Sequence, residues 1–179
     1  MALLSLRRCA PLLLLLACLL PGRGNAQASE YDVKAAYLLN FLQYTTWPPA
    51  ALGEDDPIVL CVLGTDPMGD RLLNATVGRR AQGRRVELLT LERAVEVNRC
   101  HAGFIAQQNR VPAAIWLDRL EGLPVLTIGE GPSFTREGGM IALVLDGGTV
   151  RFEVNRDALR EAGLDLSSRV LRLARSAGD

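Results

Sequence analysis

His101 has the widest chemical repertoire of any residue in this chain, and it is the only histidine. Such a side chain serves as general base, metal ligand or hydrogen-bonded structural group. A metal site would need further ligands at short fixed spacings, and none accompanies His101, so no metal is expected. A serine nucleophile elbow has the form G-x-S-x-G, which Gly131-Pro132-Ser133-Phe134 does not match. A triad assembled from distant residues would have to pass through His101 alone. The expected role is a partly buried, hydrogen-bonded histidine, which leaves a hydrolase as the weakest functional reading.

Gly64-Thr65-Asp66-Pro67-Met68-Gly69 has the glycine spacing of a phosphate loop. It continues with Asp70 and Arg71, so the phosphate lysine and the magnesium-binding hydroxyl are both missing. Pro67 also lacks an amide that an anion nest would use. Gly129-Glu130-Gly131 lacks the third glycine and the helix of a dinucleotide fingerprint. No cofactor is expected.

Binding remains open. In parallel sheets ligands sit beyond the carboxyl ends of the strands, and here those ends offer Thr65, Asp66, Gln107, Gln108 and Glu130. Exposed apolar patches mark protein partners; the aromatic first helix and the stretch from Val125 to Phe134 are the candidates. Arg151 and Glu153 alternate with apolar neighbours, as on a strand with one wet face. They form either a simple pair on that face or part of a contact. The candidate ligand or partner contacts are therefore Asp66, Gln107, Glu130, Phe134 and Arg151.

The elements that must position these residues follow from periodicity. Ala35, Leu38, Leu39, Leu42 and Thr46 recur at helical spacing from Glu30 onward, and Trp47-Pro48-Pro49 stops the helix. Ile58 to Leu63 is a continuous apolar run, read as a strand buried on both faces. A turn at Gly64 to Gly69 leads to a short helix over Asp70 to Thr76. A strand follows from Gly83 through Leu89, then a short helix from Leu91 to Val97. A strand at Ala102 to Ala106, a helix near Val111 to Leu120 and a strand at Val125 to Gly129 continue the alternation. Met140 to Leu145 and Thr149 to Val154 flank Asp146-Gly147-Gly148, a hairpin signal. Asn155 caps a helix closed by Gly163, and Ser167 caps a last helix over Ser168 to Arg175. The expected fold is α/β in three layers, a largely parallel sheet with a C-terminal antiparallel hairpin, flanked by helices.

The chain has 179 residues. It opens with Arg7 and Arg8, an apolar run from Leu12 to Leu20, and small residues before Ala26 or Ala28. That order is expected of a cleaved export signal over residues 1–26, with 28 as the other boundary. The run is too short to span a bilayer, which takes roughly 20 apolar residues. Leu15-Leu16-Ala17-Cys18 is a loose lipobox, but Leu19 and Leu20 stay apolar past the cysteine, so lipid anchoring is disfavoured. Residues 27–179 are expected to form one domain. The signal carries Arg7, Arg8 and Arg23 and no acidic residue. Its loss leaves 17 of the 20 basic residues against 20 acidic ones, near −3. With no basic surplus, nucleic acid is not an expected partner. Cys9 and Cys18 leave with the signal. Cys61 and Cys100 remain, most simply as one disulfide in an oxidising compartment; two buried free thiols are the alternative.

Taken in order, several stretches resemble the YfiR family. They are Val33 to Phe41 with Trp47-Pro48, Ile58 to Gly64 with Asp66-Pro67, and Gly83 to Val86. Cys100-His101 with Phe104-Ile105, and Phe134 with Gly138 to Ile141, continue the match. Val150 to Asn155, Ala162 to Leu164 and Ser167 to Leu173 complete it. The resemblance implies a periplasmic, non-enzymatic regulator of α/β fold, often dimeric. It implies binding and repression of the periplasmic domain of an inner-membrane diguanylate cyclase, or a related sensor kinase. It also implies a disulfide between Cys61 and Cys100. The second cysteine pair found in some members is missing here.

Overall fold

The computed structural model describes residues 24–175. Residues 1–23 of the expected 1–26 signal, with Cys9 and Cys18, lie outside the described residues, and its last three residues open the first helix. Helix α1 (Gly24–Tyr44) is followed by β1 (Thr45–Thr46), β2 (Ile58–Leu63) and α2 (Asp70–Thr76). The hairpin β3 (Arg80–Ala81) and β4 (Arg84–Leu91) precedes a 3-10 turn at Val97–Arg99 and β5 (Ala102–Ile105). Then come α3 (Ala113–Leu120), β6 (Leu126–Glu130), β7 (Ile141–Asp146) and β8 (Thr149–Val154). α4 (Arg156–Glu161), β9 (Asp165–Leu166) and α5 (Ser168–Leu171) close the described chain.

The main sheet has the order β3-β4-β2-β5-β6-β7-β8. Its five inner strands are parallel, and the outer strands β3 and β8 each run antiparallel to their neighbour. Side chains on a strand alternate between faces, and that alternation divides the core in two. Leu60, Val62, Phe104, Ile128 and Phe152 pack against α1, α2 and α4. Cys61, Leu63, Ile105, Ala142 and Val144 pack against Trp116 and Leu120 of α3. Three layers result, as the continuous apolar strands required.

The hairpin and the caps form as their residues dictate. Gly147 and Gly148 take φ of 55° and 80°, the left-handed pair that a tight two-residue hairpin needs. Asn155 Oδ1 accepts from the amides of Asp157 and Ala158, each at 3.1 Å. The Ser167 hydroxyl accepts from Arg169 N.

Four expectations are corrected. The first helix stops at Tyr44, because the β-branched Thr45 and Thr46 pair with Leu166 and Asp165. Leu91 to Val97 is not a helix: Leu91 completes β4 opposite Leu63, and only Val97–Arg99 forms a 3-10 turn. The last helix ends at Leu171, and the chain then extends so that Arg175 N donates to Phe152 O at 2.9 Å. Arg151 and Glu153 do not pair, because Arg151 is exposed while Glu153 is buried.

The β3–β4 hairpin contains a device that periodicity does not show. Gln82 sits in the turn at φ 55°. Its Nε2 donates to Leu42 O, a carbonyl that the end of α1 leaves open, and to Thr45 O in β1, both at 2.7 Å.

Candidate functional site

The carboxyl ends of β2 and β5 form the crevice where connections leave the sheet in opposite directions, the usual ligand position of such folds. The chain fills much of it. Asn109 Nδ2 donates to Leu63 O, and its Oδ1 accepts from Thr65 N and Val111 N, each at 3.3 Å. Asp66 Oδ1 accepts from Met68 N at 2.8 Å and Gly69 N at 3.0 Å. Those are the amides a phosphate would need, so the glycine-spaced loop is closed by its own carboxylate. Beside it, toward β4, a cavity of about 400 Å3 is lined by Thr65, Asp66, Thr90, Glu92 and Arg110, among others.

Glu130, at the end of β6, lies in a second node. Its Oε1 accepts from Lys34 Nζ at 2.6 Å, and its Oε2 from the main-chain N of Gln107 at 2.9 Å. Lys34 also pairs with Glu30 one helical turn earlier, and its ammonium lies 4.7 Å from the centre of the Tyr31 ring. The lysine is 5% exposed. Burial by itself would lower its pKa. Hydrogen bonds donated to Glu130 and then Glu30, with the charges of those carboxylates, outweigh that and raise it above 10.5. Sequence reasoning missed this residue, although two signals were present: it is the only lysine, and Glu30 stands four residues before it.

The sequence-nominated contacts therefore separate. Glu130 and Gln107 meet, through the Gln107 main chain; Asp66 serves its own turn elsewhere. Phe134 is 2% exposed. Its ring lies so close to Gly129 and Gly139 that a Cβ on either would sit within 2.3 Å of it. Arg151 is exposed on β8. The stretch from Val125 to Phe134 is not an exposed patch: Val125, Leu126, Ile128 and Phe134 are all core. Phe41 and Trp47 are buried as well, with Phe41 edge-on to Phe152 at 5.1 Å.

His101 has the structural role expected of it. Its Nδ1 accepts from Val59 N at 3.0 Å, which places the proton on Nε2, and Nε2 donates to Ala51 O at 3.1 Å. Burial lowers its pKa from 6.5, against a smaller upward pull from the Ala51 carbonyl. A base whose folded pKa is depressed holds fewer protons than the unfolded chain, so stability rises with pH across that window. The contribution is complete above pH 6.5 and falls as pH drops below it. Melting curves from pH 7.5 to 5 should show a loss in the wild type that His101→Gln reduces. Parallel curves would place the acid sensitivity elsewhere.

A further cavity, about 510 Å3, lies between α3, α4 and the amino ends of β6 and β7. Its rim carries Asp118, Glu121, Glu137 and Glu161. Among the described residues no group of three or more His, Cys, Asp or Glu is placed to hold a metal ion. Nor is any helix among them long and apolar enough to cross a membrane. Cys61 and Cys100 are joined as a disulfide, with 5.8 Å between their Cα atoms.

Fold and site together define a three-layer α/β domain whose polar strand ends are largely engaged by the chain itself. The YfiR/HmsC-like family model matches residues 31–175, and the chain belongs to that family. The family is regulatory and non-catalytic. Among solved structures, the chain is similar to a conserved domain protein of Vibrio cholerae O1 biovar El Tor. The TM-score is 0.57 at 13% identity, over 82% of this chain and 59% of that one. It is also similar to an ABC domain from Streptococcus pneumonia, solved in complex with L-Trp. There the TM-score is 0.55 at 11% identity, over 79% of this chain and 59% of that one. At such identities the likeness concerns the fold alone, and this chain spans about 59% of the length of each.

Proposed function

We propose that this protein is a periplasmic regulator that binds the periplasmic sensor domain of an inner-membrane diguanylate cyclase and holds it inactive. The observation that carries the reading is the family match across residues 31–175. The disulfide fits an oxidising compartment. The commitment of His101 to structural hydrogen bonds favours binding over catalysis. Deleting the gene should raise cellular cyclic di-GMP, and the oxidised protein should recover a cyclase from solubilised membranes. Unchanged cyclic di-GMP, or recovery of no cyclase, rejects the reading. Recovery of a sensor kinase instead would keep a regulator but change its target.

The cavity of about 400 Å3 at the strand ends favours a second reading, a small-ligand module. A ligand at a hundred times its Kd should stabilise the fold by about 2.7 kcal/mol in a thermal-shift screen.

A further inference from the structure

We infer that the free edge of β4 is a docking site for an extended, acidic segment of a partner protein, which adds to the sheet as a strand. The inference rests on the partner-binding reading above and names its surface. β4 pairs with β2 from Val86 to Leu91 on one side, but on the other β3 covers only Arg84 and Arg85. Beyond them, Val86 N donates to Arg79 O at 3.1 Å. That bond sets the alternation: Val86, Leu88 and Thr90 turn their main-chain groups outward. Glu87, Leu89 and Leu91 turn theirs toward β2, in line with the bond from Gly64 N to Leu91 O at 2.7 Å. Among the described residues no hydrogen bond reaches the outward groups of Leu88 or Thr90.

An unpaired strand edge is a template for another strand, and proteins normally blunt it with proline, bulges or charge. Leu88 to Leu91 carries neither proline nor charge. The two ends of this edge are built differently. At the hairpin end, the exposed Arg79, Arg80 and Arg85 surround a hollow of about 240 Å3 that also touches Val86 and Glu87. At the other end, Thr90 and Glu92 open onto the cavity of about 400 Å3. The five residues from Val86 to Thr90 span roughly 16 Å, the reach of a short added strand.

Charge selects the occupant. Glu87 is the only carboxylate between Arg79 and Leu91, and it lies 3.9 Å from Arg85. A second copy of this edge would therefore bring arginines without matching acids. A lipid head group would meet the arginines but leave the Leu88 and Thr90 amides unpaired. An acidic extended peptide satisfies both.

The test selects random dodecapeptides displayed on phage against the oxidised protein, then titrates the enriched peptides. Enriched peptides should carry Asp or Glu. On binding, amide exchange should slow at Leu88 and Thr90 but not at Glu87 or Leu89. Arg79→Glu/Arg80→Glu should weaken binding at least about tenfold, with strong salt dependence. Thr90→Pro should abolish binding and leave the melting temperature nearly unchanged, because the amide it removes makes no bond in the free protein. No enrichment, or peptides that leave those two amides unprotected, overturns the proposal. So does protection that grows with protein concentration alone, which assigns the edge to a second copy. Phosphatidylglycerol vesicles that bind the arginines without protecting Leu88 and Thr90, in place of peptides, assign the patch to lipid. A membrane pull-down that still recovers a cyclase with Arg79→Glu/Arg80→Glu and with Thr90→Pro rejects the edge and keeps the regulatory reading. Acidic peptides that bind as described, with no cyclase recovered by the wild type, do the reverse.

Discussion

Cys61→Ala/Cys100→Ala should lower the stability of the folded domain by about 4 kcal/mol, a drop of about 10 °C in melting temperature. The bridge joins residues 39 positions apart, so it closes a long loop in the unfolded chain, whose conformational freedom it removes. It also sits at the junction of the two inner strands β2 and β5, where Cys61 faces Gly103 across the ladder. Cys61 is fully buried, so the alanine variant also loses sulfur contacts in the core layer against α3. Calorimetry of wild type and variant, each with and without dithiothreitol, separates the two contributions. Reductant should destabilise the wild type and leave the double variant unchanged. A wild type that melts at the same temperature with or without reductant would show that the bridge does not support the fold.

Lys34→Met should cost about 3–5 kcal/mol, the usual penalty for stripping one partner from a buried ion pair. The loss comes mainly from what remains. Glu130 has a side chain only 7% exposed, and without Lys34 it is left beside Glu30 with a single amide partner, Gln107 N. Removing the acid as well should recover most of the loss: Lys34→Met/Glu130→Gln keeps an acceptor for Gln107 N and leaves no buried charge. Chemical denaturation of both single variants and the double variant gives the coupling directly. A single-variant cost below about 1 kcal/mol would mean that the node is open to water. The pH dependence has a definite sign. Lys34 has a folded pKa raised above 10.5, so its contribution is complete below pH 10.5 and is lost as pH rises through the higher folded value. Wild type should therefore lose stability on the alkaline side more steeply than Lys34→Met.

Much of the scaffold was legible because it depends on short-range pattern. The run from Ile58 to Leu63 could only be a strand covered on both faces, and β2 lies between β4 and β5. Asp146-Gly147-Gly148 fixed a hairpin, and Asn155 and Ser167 fixed helix starts, since each works through its own neighbours in the chain. Where local pattern competed with distant pairing, it lost. Thr45 and Thr46 continued a helical period but pair with residues about 120 positions later, and Leu91 looked helical but completes a strand.

The site was less legible, for a related reason. Polar residues at strand ends are common to any α/β sheet, and sequence does not show which of them the chain uses for itself. Asp66 is spent on its own turn, and the crevice is plugged by Asn109 from a segment 44 residues beyond Thr65. Lys34 gains its meaning only from Glu130, 96 residues away. By itself the sequence determined the alternation of strands and helices, the hairpin and the caps, because each follows from backbone preference. Only the tertiary structure decided that Lys34 is a buried ionic node, that Gln82 closes the first helix and that β4 keeps a bare edge. Those features depend on which segments become neighbours, and burial and unpaired hydrogen-bonding groups do not exist until they do.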